Sequence, residues 1–130
     1  SPNSADKSAI KSVINAVKEG NSILIFPEGT RSRTAKLIEA KKGILLFARL
    51  TTAPIVPIGM SGSEKFMPIE KDMGKEVFYD AEININIGKA FHLPTKNDSE
   101  TKEEWEDRCL NHIMISIAKL LPIEYRGYYK

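Results

Sequence analysis

The chain has 130 residues, 42% of them apolar and 28% charged, and a formal net charge of +2. That is about one domain, able to bury roughly two thirds of its unfolded surface. So small a charge gives no electrostatic footprint for nucleic acid. The apolar run "ILLFA" stops at Arg49, far short of the roughly 18 residues a membrane-spanning helix needs, so membrane contact is peripheral or lies in residues not present here. Cys109 is the single cysteine, which excludes an intrachain disulfide and points to a reducing compartment.

Ile10, Val13, Ile14 and Val17 recur at helical spacing, with Ser4 as a cap and Gly20 as the stop, and predict a helix over 5–19. Residues 22–26 alternate nowhere and read as a short strand buried on both faces, ended by Pro27. Ile44, Leu45, Phe47, Ala48 and Leu50 cover most of a helix surface over 40–51, indicating a buried helix. A second apolar strand follows over 53–59, bracketed by prolines, and then a loop rich in turn formers and charges over 62–75. In "EININIG" Ile83, Ile85 and Ile87 alternate with asparagines, predicting a half-buried strand with one polar face. A last helix over 100–121 carries Leu110, Ile113, Met114, Ile117 and Leu121 on one stripe before Pro122 ends it. Strands alternating with helices argue for an α/β layered fold in one domain, 1–130, with at least some parallel pairing.

The chemistry concentrates in "FPEGTRSR", just past the predicted strand 22–26. In open α/β sheets ligands collect beyond the carboxyl ends of strands, where this segment falls. Gly29 permits a positive φ or close approach to a ligand. Thr30 offers a hydroxyl, and Arg31 and Arg33 offer planar donors that grip phosphate oxygens in pairs. Glu28 can hold a cation in place or accept from a ligand hydroxyl. The set suits a small phosphorylated polyol, although a solvated surface turn uses the same residue types. Cys109 and His112 stand three apart on the last helix and read as helical neighbours rather than a nucleophile pair. "GMSGS" at 59–63 lacks the second glycine of a nucleophile elbow, and no zinc, dinucleotide or phosphate-loop spacing is present.

"FPEGTRSR" resembles the third sequence block of the glycerolipid acyltransferases, the family of bacterial 1-acylglycerol-3-phosphate and glycerol-phosphate acyltransferases. "EAKKG" at 39–43 resembles the family's lysine-glycine segment, "APIVPIGMSG" its fourth block, and "LPIEYRGYY" the closing segment of many bacterial members. The order and spacing agree across most of the chain. The resemblance implies a partial acyltransferase-like layered fold with helices packed on a mixed sheet. It implies that Glu28, Gly29, Thr30 and Arg31 bind the phosphorylated glycerol acceptor, with Arg33 and Lys42 as further candidates and Pro57 shaping the site or the acyl-donor channel. It implies no cofactor, only acyl-CoA or acyl-carrier protein as donor substrate. It also implies peripheral attachment of the parent to the inner face of a bacterial membrane.

The family places a catalytic His-x4-Asp pair in its first block, a base that takes the acceptor hydroxyl's proton as it attacks a thioester. Neither histidine here qualifies, since Asn97 stands five residues after His92 and Ile117 five after His112. The arginine-containing second block is absent too, and the first residue is Ser1 rather than Met. The expectation is a C-terminal part of an acyltransferase, inactive alone, with no catalytic residue of its own and no metal. The alternative is a non-catalytic module binding a phosphorylated metabolite or anionic lipid through Arg31, Arg33 and Lys42. An uncovered sheet edge would further favour self-association.

Overall fold

Helix α1 takes residues Ser4–Lys18 and is set by its apolar residues at helical spacing. It ends where Gly20, at φ +99°, turns left-handed, so that the Gly20 and Asn21 amides donate to the Val17 and Ala16 carbonyls at 3.0 Å each. The computed structural model describes residues 4–67 and 78–130, which leaves the Ser4 side chain and much of the predicted loop 62–75 outside the description.

Helix α2 spans Gly43–Thr51 and packs against α1. Leu45 is buried, but Leu46 and Leu50 stay exposed, so α2 buries one face rather than the whole surface that its composition predicts. Its helical neighbours cover only part of its circumference.

The core is organised by the longest helix among the described residues, which follows the strands. Strands β1, Ile58–Ser61, and β2, Asn84–Ile87, form a two-stranded sheet, with the short helix α3, Ser63–Phe66, after β1. Helix α4, Lys102–Ala118, begins with a reciprocal cap: Thr101 Oγ1 accepts from the Glu104 amide at 3.1 Å, and Glu104 Oε2 from the Thr101 amide at 3.3 Å. Cys109, Leu110, Ile113, Met114 and Ala118 on α4 are buried together with Ala40, Leu45 and Tyr129. The helix stops short of residue 121 because the Leu120 and Leu121 amides tighten onto Ile117 and Ala118 at 2.9 and 3.0 Å before Pro122. Burial pushes the Cys109 thiol above its ordinary range, while the His112 ring meets Phe91 edge-on at 4.7 Å. The two are helical neighbours with separate packing roles.

The pairing of β1 with β2 is antiparallel, with Ile58 opposite Ile87 and Met60 opposite Ile85, and an Ile55–Phe91 bridge continues the ladder. The expected parallel pairing is therefore not found among the described residues. A parallel pair needs a crossover, usually a long helix, whereas the described part of this connection carries only four-residue α3. The faces are also reversed. Asn86 Nδ2 donates to the Leu120 carbonyl at 3.0 Å, and a Cβ on Gly59 would lie 2.8 Å from Leu120 Cβ. The small and polar face thus lies on the end of α4, while Ile85 and Ile87 remain 60% and 68% exposed. Period-two alternation fixes two faces but not which one points inward.

The predicted strand 22–26 is not a strand, and Leu24 and Phe26 are 71% and 64% exposed. A strand buried on both faces requires a ladder partner and covering layers, and β1 and β2 pair only with each other. The architecture is an α/β fragment in which α4 packs on one face of a small sheet.

Candidate functional site

Past Phe26 the chain makes a closed loop. The Gly29 amide donates to the Phe26 carbonyl at 3.0 Å with Gly29 at φ +73°, a turn that favours glycine. The loop returns through the Lys41 amide, which donates to the Pro27 carbonyl at 2.9 Å. Inside it, Glu28 Oε2 accepts from the Ile38 amide at 2.9 Å. Burial raises the Glu28 carboxyl above its ordinary range, and the Ile38 hydrogen bond opposes that rise.

The C-terminal segment braces the same loop. The Leu37 amide donates to the Tyr125 carbonyl at 2.9 Å, the Tyr128 amide to the Leu37 carbonyl at 3.1 Å, and the Ala40 amide to Tyr129 Oη at 2.8 Å. Gly127, at φ +50°, allows this approach, since a Cβ there would stand 2.3 Å from the Leu37 oxygen.

Between loop, sheet and tail lies a cleft of about 790 Å³. Residues 28–37 form one wall, so Glu28, Gly29, Thr30, Arg31 and Arg33 are brought together there. Phe26, Met60, Phe66, Met67 and Leu121 give the cleft an apolar side. Arg31 donates from its guanidinium to the Met67 carbonyl at the end of α3. Lys42 and Pro57 lie outside the cleft. Lys42 Nζ stands 3.6 Å from Asp107 Oδ1, and Pro57 is buried with its carbonyl accepting from the Gly88 amide at 2.9 Å. Neither His92 nor His112 lines the cleft.

Two cleft residues escaped sequence reasoning. Glu64, on α3, falls in a stretch read as charged loop, and Tyr125 lies in the tail. Tyr125 Oη donates to Glu64 Oε1 at 2.5 Å, and that hydrogen bond raises the phenol above its ordinary range. The partners are 61 positions apart, so no local spacing could have joined them. The Thr-x-x-Glu cap of α4, by contrast, was open to reading as "TKEE".

The cleft thus sets two guanidiniums and a hydroxyl beside an apolar wall, groups able to donate to anionic oxygens and to cover an apolar chain. Residues 2–61 match the family described as Acyltransferase. A 1-acyl-sn-glycerol-3-phosphate acyltransferase of Cocos nucifera is 35% identical over 118 residues, covering 90% of this chain and 34% of the relative. The Bacillus subtilis (strain 168) enzyme of the same name is 34% identical over 95 residues, 68% of this chain and 43% of the relative. A chloroplastic 1-acyl-sn-glycerol-3-phosphate acyltransferase, BAT2 of Brassica napus, is 44% identical over 59 residues, 45% of this chain and 17% of the relative. The family match and these relatives support membership of the glycerolipid acyltransferases, a class of enzymes. It spans between 17% and 43% of the length of these three relatives. No solved structure matches it significantly.

Proposed function

We propose that this chain supplies the acceptor-binding part of an enzyme that moves an acyl group from acyl-CoA or acyl-carrier protein to 1-acylglycerol-3-phosphate, giving phosphatidic acid for phospholipid synthesis. The observation that carries this reading is the cleft in which Thr30, Arg31 and Arg33 share a wall facing apolar Phe26, Met60 and Phe66. The phosphate belongs at the guanidiniums and the acceptor's chain along the apolar side. The relatives' names support the acceptor. Peripheral contact with the inner face of a bacterial membrane belongs to the same reading.

Catalysis is not assigned to these residues. A glycerol hydroxyl needs a base as it attacks a thioester, and no described histidine lines the cleft. Losing such a base costs typically about 10²–10⁴-fold in rate. A second reading, a non-catalytic phosphate or anionic-lipid binding module, draws on this same observation.

The test is titration of residues 1–130 with 1-acylglycerol-3-phosphate by calorimetry. Arg31→Ala should weaken binding by roughly ten- to a hundredfold, the range for a charge-assisted hydrogen bond. Turnover by this chain that survives Glu28→Ala would refute the assignment. Salt-sensitive binding of any anionic lipid, without preference for the glycerol phosphate, would favour the second reading.

A further inference from the structure

The acceptor-binding reading leaves the Glu64–Tyr125 pair without a task. A carboxylate on the wall of a phosphate cleft repels the phosphate, so its presence there calls for another partner. Tyr125 Oη occupies Glu64 Oε1, and Glu64 has no other hydrogen-bond partner among the described residues, which leaves Oε2 free to accept. The side chain is half-buried, and Tyr125 holds its direction. Arg31 reaches the carbonyl of Met67, the residue that ends α3, so cation and carboxylate lie within one short helix of each other. A phosphate and a hydroxyl on the same small polyol are spaced on that scale.

We propose that Glu64, held by Tyr125, accepts a hydrogen bond from the free hydroxyl of the acceptor and so selects hydroxyl-bearing glycerol phosphates. This rests on the acceptor-binding reading and adds the residue that reads the hydroxyl. A carboxyl oxygen suits an O–H donor and rejects an analogue that leaves it unpaired. Tyr125 is a positioning residue: it touches Glu64, and Glu64 touches the ligand.

The experiment compares calorimetric affinities of 1-acylglycerol-3-phosphate and its 2-deoxy analogue, which keeps phosphate and chain but lacks the hydroxyl. The parent chain should prefer the hydroxyl compound by about tenfold or more. Glu64→Ala should bring that ratio near one, and Glu64→Gln, which keeps volume and one acceptor, should retain part of it. Tyr125→Phe should lower the ratio while leaving affinity for the deoxy compound unchanged, which a general loss of structure would not do. Arg31→Ala should weaken both compounds alike and leave the ratio intact. If Arg31→Ala weakens both but Glu64→Ala keeps the full preference, the role of Glu64 is wrong and the acceptor reading stands. If Arg31→Ala changes neither affinity, the acceptor reading fails and takes this inference with it.

Discussion

Glu28 is half-buried beside the residues that would meet a phosphate, and among the described residues its hydrogen bond is the one that holds the loop closed through the Ile38 amide. Burial raises its carboxyl above the reference value of 4.5, against the pull of that amide. An acid raised in the folded state binds protons more readily folded than unfolded, so stability falls as pH rises from the unfolded value through the folded one. Glu28→Gln keeps the oxygen for Ile38 and removes the charge. At about pH 7 it should therefore unfold at the same or higher urea concentration than the parent, and the difference should close below about pH 4. A parent that gains stability over the Gln variant as pH rises through that window would contradict the sign. At this scale the sequence was legible where residues are contiguous: 28–33 carries donors, acceptor and turn in one run, and five proposed site residues do share a cleft. Lys42 shows the limit, since a lysine nine positions beyond Arg33 is directed to Asp107 by the packing of α4. Glu64 and Tyr125 meet only through the fold: Glu64 lies in no motif, and the closing segment that holds Tyr125 does not name its partner.

Helices were more legible than strands because a helix satisfies its backbone within itself, whereas a strand is defined by its neighbours. Residues 10–17 and 109–118 therefore fold as their spacing predicts. The apolar run 22–26 finds no ladder among the described residues and forms no strand. The tail illustrates the same dependence on neighbours. Two short 3₁₀ turns, Ile123–Tyr125 and Gly127–Tyr129, fix the motif loop through Leu37 and Ala40. Tyr129 is buried, so Tyr129→Phe strands the Ala40 amide and should cost about 1–3 kcal/mol in chemical denaturation. Gly127→Ala should be at least as damaging, because it forces a side chain into both a left-handed φ and the Leu37 oxygen. Equal midpoints for all three proteins would mean that the tail does not brace the loop.

At the scale of the whole molecule, the reversed sheet has a physical consequence. Ile58, Met60, Ile85 and Ile87 form one apolar face at 39%, 43%, 60% and 68% exposure. Each strand also pairs on one side only, leaving a row of backbone donors and acceptors open on the other among the described residues. A two-stranded sheet is marginal in water, and further strands on its edge would satisfy the backbone and set their own apolar side chains beside those of the exposed face. A second copy of this chain supplies such a strand with matching length and pattern, and antiparallel pairing of like edges across a two-fold axis satisfies both copies at once. The expected outcome is a dimer or larger species by light scattering at high concentration. Ile85→Lys, an exposed position on β2, should return the mass to that of one chain without lowering the helix signal in circular dichroism, because the side chain it replaces packs on nothing in the core. A monomeric mass for the parent across the whole concentration range would show that the face and edge are tolerated bare, and that solvation of the four-residue strands is enough to keep copies apart.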